Sequence, residues 1–476
     1  MKIYAYKAPG TKEERLRTQE AFNEYVNCGF NTIYLTGDNS FCFSGEEEWK
    51  DSTAKKCFDM AENAGIEKVI LRDNRLYIEL IEEKDMLVGC GEGYRFQSEA
   101  ELDEYVRFCM KDYIQEKLFC GLGLRDEPTY KHVKSVGLVY RSIKRVAKQL
   151  GKDNIYIQMN LNPLMIGSYD ILDPEWRKIG VRAAYEKYLD AFLTATGADI
   201  ICVDNYPFRP SYIGGRFLEG FYIGYQILQE QCKKHGAELE FVLQSFELIH
   251  KTIPTAKSGF RKLSTVNEMF LQTNSALGFG VRNLAFYTYE PDMQPEDSPY
   301  RTTESSSLVT ITGEKTRIYY FAKAAIAHAK VLAETLGAYS FTGARLFVHD
   351  SVKYCEDVYF KSEGEHSQEG LIDPYSTEFN NTHTLADIDK IDYNKDVLLV
   401  TELSNGVERL YMLQNVIDSS YKCDLKPMQL CVRWKDNKKR FKVFNGKNFT
   451  EKEFKDGTFE TELELGEATW VIVSDR

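Results

Sequence analysis

The sequence predicts a (β/α)8 barrel followed by a small antiparallel β-sandwich domain, and three observations lead there. Short runs rich in β-branched and aromatic residues alternate with helical periodicity, at intervals of roughly thirty to forty residues. Eight such units follow one another before the pattern changes. The runs are continuously apolar rather than alternating, as expected of strands buried on both faces. Eight units suit a closed barrel better than an open doubly wound sheet. A length of 476 residues exceeds what one core usually covers and leaves room for a second domain.

The first strand is read at 2–9 (KIYAYKAP). Thr11 and Glu14 have capping-box spacing; the helix after them places Phe22, Tyr25 and Val26 on one face and stops at Gly29. A second strand is read at 31–38, a helix at 49–65 and a third strand at 67–73. After a long insertion, Ser98 and Glu101 repeat the capping-box spacing ahead of a helix carrying Leu102, Val106, Cys109 and Tyr113. The remaining strands are read at 119–125, 155–161, 199–203, 240–246 and 283–289. Helices are expected at 133–150, 182–197, 217–236, 266–278 and 316–337. The barrel thus spans 1–340. Residues 341–395 are polar, mixed and Tyr-rich, and are read as a connector packed on the barrel. Over 396–476, strand-like runs succeed one another without helices, with Asn405-Gly406 and Asn445-Gly446 where hairpin turns belong.

Composition narrows the partners. A net charge of −12 argues against nucleic acid or an anionic membrane surface, since both need clustered Lys and Arg. The 11 cysteines are scattered without CxxC pairs, and Cys120 and Cys202 lie in strand-like runs, so reduced core thiols are expected rather than a disulfide framework. No zinc-like spacing occurs, and neither a metal nor an organic cofactor is expected. The opening Met-Lys-Ile-Tyr-Ala-Tyr reads as a strand rather than a signal peptide. No run approaches the roughly 18 apolar residues of a membrane span, so a cytoplasmic protein is expected. The oligomeric state stays open between a monomer and a homo-oligomer.

In such barrels chemistry sits at the C-terminal ends of the strands. Those ends are polar and acidic here. The second strand ends in Asp38, the third in Asp73 and the fourth in Arg125-Asp126-Glu127-Pro128. The fifth carries Asn160 and Asn162, and the sixth is followed by Asp204-Asn205-Tyr206-Pro207. The seventh carries Gln244 and, three residues on, Glu247. The eighth ends in Tyr287, Tyr289 and Glu290. A carboxylate after a parallel strand often caps the next helix, a reading that competes at Asp38, Asp73, Asp204, Glu247 and Glu290.

Converging carboxylates with amides and phenols are what glycosidic cleavage needs. One carboxylic acid protonates the leaving oxygen, and a second carboxylate attacks the anomeric carbon or activates water. Amides and tyrosines bind sugar hydroxyls. A competing class is a barrel that holds carbohydrate without cleaving it. A third is carbanion chemistry, for which Lys7 after the first strand is the only suitably placed lysine.

The segment Gly-Leu-Gly-Leu-Arg-Asp-Glu-Pro at 121–128 resembles the fourth-strand motif of the large superfamily of retaining (β/α)8 glycoside hydrolases, whose strand ends in Asn-Glu-Pro or Asp-Glu-Pro. Residues 307–316, with Gly313-Glu314-Lys315-Thr316 before a long helix, look like the closing segment of β-galactosidase-like barrels. The resemblance implies Glu127 as acid/base, with Asp126 in the place usually held by Asn. That superfamily has its nucleophile, a Glu, at the end of the seventh strand, where this chain has Gln244. An amide cannot serve as that nucleophile. Three readings stay open: Glu247 reaches in after a shifted turn, Asp204 or Glu290 takes the role, or the barrel only binds sugar. The expected mechanism has Glu127 protonated at rest, its pKa raised by burial and by neighbouring carboxylates. Asp38, Asp126, Asn160, Asn205, Tyr206, Gln244 and Tyr287 are the expected substrate contacts. Loops at 80–97, 163–180 and 291–314 are long enough to wall a pocket, and an exo-acting enzyme on short glycosides is expected.

Overall fold

The computed structural model describes residues 1–36, 48–81, 86–89, 95–96, 98–164, 172–208, 214–252, 259–349, 379–395, 397–416, 426–436 and 439–475. Eight parallel strands form one sheet: β1 (Ile3–Ala5), β2 (Thr32–Leu35), β3 (Lys68–Leu71), β4 (Phe119–Asp126), β5 (Tyr156–Leu161), β6 (Ile200–Asp204), β7 (Glu238–Gln244) and β8 (Asn283–Tyr287). Each is followed by a helix: α1 (Gln19–Cys28), α2 (Thr53–Ala64), α3 (Glu99–Met110), α4 (Val133–Gln149), α5 (Val181–Thr196), α6 (Gly214–His235), α7 (Val266–Gly278) and α8 (Arg317–Leu336). This is the expected (β/α)8 barrel.

The ladder runs β1-β8-β7-β6-β5-β4-β3-β2, and between its two ends side chains complete the ring. Asn31 N–H donates to Ile3 O at 3.2 Å, and its side-chain oxygen accepts from Ile3 N–H at 2.9 Å. The buried Tyr25 hydroxyl of α1 accepts from Ala5 N–H at 2.8 Å and donates to Thr32 O at 3.0 Å. The hydroxyl satisfies two backbone groups that a ladder would otherwise pair.

Helix starts follow local chemistry, with one correction. Ser98 accepts from Glu101 N–H as expected. Thr11 and Glu14, however, do not start α1; Thr18 does, accepting from Ala21 N–H. The Thr11 hydroxyl turns back to Ala8 O at 2.8 Å, and the neighbouring N–H groups of Gly10, Lys12 and Glu13 are taken by a distant carboxylate, that of Glu290.

The barrel interior is filled by Tyr4, Tyr6, Tyr34, Ile70, Tyr156, Cys202, Val242 and Ala285. Below this layer Glu240 is fully buried and accepts from the hydroxyls of Tyr4 and Tyr156. Two glycines in β4 allow close approach, Gly121 to the backbone of β5 and Gly123 to the Tyr34 ring. A Cβ at Gly121 would lie 2.0 Å from Tyr156 O, and one at Gly123 would lie 2.0 Å from the Tyr34 hydroxyl oxygen. Backbone cannot yield as a side-chain tip can. Gly121→Ala is therefore expected to destabilise the fold by about 3 kcal/mol, the upper end of ordinary overpacking, read from urea unfolding.

The insertion between β3 and α3 forms a small antiparallel sheet (Ile78–Ile81, Met86–Gly89, Arg95–Phe96). After the barrel come β9 (Ser340–Val348), β10 (Ile388–Tyr393), β11 (Val397–Ser404), β12 (Arg409–Asn415), β13 (Met428–Trp434), β14 (Arg440–Phe444), β15 (Phe449–Lys452), β16 (Thr458–Leu463) and β17 (Ala468–Ser474). They form two antiparallel sheets, ordered β9-β11-β12-β17-β14-β15 and β10-β13-β16. Leu398, Val400, Tyr411 and Leu413 pack on Met428, Leu430, Val432 and Trp434 to make the sandwich core. Asn405 and Asn445 hold their turns by accepting from N–H groups two and three residues on. The stretch read as a connector contributes β9, paired with β11, and β10, paired with β13. Both strands expose many of their side chains, which hid them among polar residues. The sandwich docks on α7, where Gln414 donates to Leu271 O at 2.9 Å and accepts from Ser275 at 2.8 Å. The seven described cysteines are free thiols. Among the described residues no helix is long and apolar enough to cross a membrane.

Candidate active site

Three carboxyl groups meet where β4, β5 and β6 end. Asp126 is the last residue of β4, level with Asn160 of β5, and Asp204 is the last of β6. The β4–β5 register shifts between Gly123 and Arg125. Such bulges re-aim side chains beside active sites. The Asn160 amide nitrogen bridges the neighbours, donating to Asp126 Oδ1 at 2.9 Å and to Asp204 Oδ1 at 3.1 Å. The Glu127 carboxyl stands near enough to Asp204 and Asp126 for their charges to act on it. The Tyr206 hydroxyl lies near Asp204.

Glu127 stands on a strained backbone. Its φ is +44°, in the left-handed region that non-glycine residues enter at a cost of roughly 1–3 kcal/mol. Neighbouring groups hold it there. Glu127 N–H donates to Asn160 O at 2.8 Å. The next carbonyl, Pro128 O, accepts from the Tyr188 hydroxyl of α5 at 2.6 Å and from the Asn162 amide at 3.1 Å. Tyr188→Phe strips one donor from Pro128 O and the acceptor from Asn162 N–H. It is expected to cost about 1–3 kcal/mol, measured by denaturant unfolding.

Electrostatics separates the acids. As a residue Glu127 presents surface to water, yet its carboxyl is ringed by protein atoms. Lost hydration, then the charges of Asp204 and Asp126, raise its pKa to about 8. Asp204 is buried; desolvation and the Asp126 charge raise its pKa to about 6, against the hydrogen bonds from Asn160 and Tyr206. Around pH 7 the pair thus holds a proton on Glu127 and a charge on Asp204.

Beside the acids stand rings. Tyr206 lies edge-on to Phe246 at 4.9 Å and to Phe260 at 5.3 Å, and Tyr287 lies 5.0 Å from Phe246. The Tyr287 hydroxyl donates to Asp292 at 2.7 Å.

The structure therefore brings together Glu127, Asp126, Asn160, Asp204, Tyr206 and Tyr287. Other expected residues turn elsewhere. Gln244 is fully buried; its amide accepts from Phe208 N–H at 3.0 Å and donates to Phe208 O at 3.2 Å and Arg261 O at 3.0 Å, so both its amide hydrogens serve loop backbone instead of a substrate. Glu247 accepts from Thr303 at 3.3 Å and faces the ammonium of Lys262. Glu290 is fully buried and accepts from Gly10, Lys12 and Glu13 N–H, so it holds the turn after β1; burial raises its pKa to about 8 against those three donors. Asn205 is buried with its amide against Gly224 of α6. Asp73 is buried in an ion pair with Arg75 at 2.8 Å. Lys7 lies 3.7 Å from Asp292. Asp38 lies outside the described residues. Sequence reasoning passed over Tyr188, a mid-helix position that periodicity assigns to core, and the ring wall of Phe246 and Phe260. Nothing in the local sequence marks either.

No family model matches the chain, and no curated protein matches it in sequence. Solved structures do match its shape. A protein described as a glycoside hydrolase aligns over 100% of this chain and 92% of its own at 10% identity, with a TM-score of 0.50. A glycoside hydrolase family 5 protein from Bacteroides vulgatus ATCC 8482 aligns over 100% of this chain and 89% of its own at 10% identity, with a TM-score of 0.49. At such identity the likeness is one of fold, a (β/α)8 barrel carrying a β domain.

Proposed function

We propose that the chain is a glycoside hydrolase, with Glu127 as general acid/base and Asp204 as the second carboxylate. One observation carries this: at the mouth of a barrel Asn160 ties Asp126 to Asp204 beside Glu127, and the carboxyls of Glu127 and Asp204 are pushed to about 8 and about 6. Carboxyls whose environments set their pKa values apart divide into acid and base. Glu127 gives its proton to the leaving oxygen. Asp204, ionised, stabilises the positive charge that grows at the anomeric carbon. Asp126 and Asn160 bind ring hydroxyls, and the wall of Tyr206, Phe246, Phe260 and Tyr287 stacks on the sugar face. The substrate is a short oligosaccharide or glycoside. A domain boundary at about 340 divides the catalytic barrel from the accessory β domain.

The test is hydrolysis of a panel of chromogenic aryl glycosides by the wild type and by Glu127→Gln, with proton NMR of the first product. Turnover lost in the variant supports the reading. Turnover unaffected by Glu127→Gln refutes the role of Glu127.

A further inference from the structure

We propose that the substrate is a 2-amino-2-deoxy glycoside, whose protonated amine is held by Asp126, Asp204 and Asn160. This rests on the glycosidase reading above and names its substrate class. The acid centre is rich in acceptors. Asn160 spends both amide hydrogens there, one on Asp126 Oδ1 at 2.9 Å and one on Asp204 Oδ1 at 3.1 Å. Its own Oδ1 is buried with no hydrogen-bond partner, and the residue is only 4% exposed. Buried polar atoms are almost always paired, so an orphan acceptor beside two carboxylates points to a ligand that brings hydrogens. Asp204 is buried, whereas Asp126 is open to solvent and gives a ligand its way in.

The acceptors come from three adjacent strand ends. Asp126 ends β4, Asn160 lies level with it on β5, and Asp204 ends β6. A hydroxyl or an acetamido group brings one hydrogen to such a set, and an alkylammonium brings three. Two of the acceptors are carboxylates, so the charge on the amine strengthens its bonds. A metal ion is the competing cation, but it needs its oxygens at about 2.0–2.6 Å. Among the described residues no three Asp, Glu, His or Cys side chains converge to hold one. An ammonium, bonding at about 2.7–2.9 Å, suits a wider spacing.

Chain order puts the amine on C2. Glu127 gives its proton to the leaving oxygen on C1, and Asp126 is the residue before it, with Cα atoms about 3.8 Å apart. Asp126 therefore meets the sugar beside C1. One ring neighbour of C1 is the ring oxygen, which carries no substituent; the other is C2. Such a glycoside is hard to cleave, because a charge on C2 opposes the positive charge that grows on C1. Carboxylates bonded to the ammonium offset that repulsion. The bond from C1 to the leaving oxygen breaks, its pair going to that oxygen together with the Glu127 proton. Water supplies the new oxygen on C1 and returns a proton to the Glu127 carboxylate. The amine stays unchanged on the product.

The experiment compares aryl 2-amino-2-deoxy glucosides and galactosides, in both anomers, with the matched 2-hydroxy and 2-acetamido glycosides, for the wild type and Asp126→Asn. The expected result is a kcat/KM at least tenfold higher for an amino glycoside at pH 6, a preference that falls at least tenfold in Asp126→Asn. All the substrates meet the same free enzyme, so the ratio of their kcat/KM values cancels the enzyme's own titration. That ratio should fall as pH rises and the amine loses its proton. A ratio flat with pH or unmoved by Asp126→Asn overturns this inference. So does an equal or higher kcat/KM on the 2-hydroxy or 2-acetamido glycosides, which, if lost in Glu127→Gln, leaves the glycosidase reading standing. A panel silent throughout counts against the glycosidase reading, and calorimetry with glucosamine and galactosamine against glucose and galactose then reads the amine site. Tighter binding of the amino sugars, lost in Asp126→Asn, supports it; equal or absent binding overturns it.

Discussion

Glu127→Gln is expected to lower kcat by about 100- to 10,000-fold, the usual contribution of general acid–base catalysis. The loss should shrink on a dinitrophenyl glycoside, whose leaving group departs without a proton. It should grow on alkyl glycosides, whose leaving group needs one. The same variant should be more stable than the wild type. The folded pKa of Glu127 stands at about 8, above its ordinary value of 4.5. Its contribution to folding is fully present below pH 4.5 and is lost as pH rises through 8. The stability gained in Glu127→Gln should therefore grow across that window, and melting curves at pH 4, 6 and 9 check it. Equal melting temperatures at all three would count against a perturbed carboxyl. Such trade-offs are common where a site is held for chemistry rather than for folding.

The second large effect is expected at Asp204. In the proposed reaction Glu127 acts protonated and Asp204 ionised, so the wild-type profile should be bell-shaped, with limbs near pH 6 and pH 8. Asp204→Asn removes the ionised partner. Turnover should fall by about 100-fold or more, in line with the loss of one electrostatic stabiliser. The variant also removes the strongest neighbouring charge on Glu127. The alkaline limb should then move to lower pH and the acid limb should flatten. A profile with an unmoved alkaline limb would mean that Asp204 does not set the pKa of Glu127.

Most of the barrel was legible in the sequence because a parallel strand buried on both faces writes a continuous apolar run, and eight of them alternate with amphipathic helices. The hairpins of the sandwich were legible for a similar local reason, Asn-Gly at the turns. What failed was non-local. Thr11 and Glu14 have the spacing of a cap, but the donors around them are claimed by Glu290, 277 or more residues away. Glu290 looked like a catalytic acid because sequence shows its place after a strand and not the three N–H groups around it. Gln244 looked like a sugar ligand for the same reason. That Asp126, Glu127, Asn160 and Asp204 would come together was legible because the ends of neighbouring strands are neighbours in any such barrel. The register shift between Gly123 and Arg125, which sets how β4 meets β5, could not be read.

The tyrosine at the seam between β1 and β2 gives the barrel a direction of weakness. The sheet is a band whose two ends are clasped by the Tyr25 hydroxyl and by Asn31. In that band β5 and β6 stand in the middle, with β4 beside them. A band frays from its ends. Amide protons of β1 and β2 should exchange with solvent before those of β4 to β6. The acids are thus mounted on the part of the ring that is last to come apart, and thermal loosening can widen the mouth while the carboxyls keep their places.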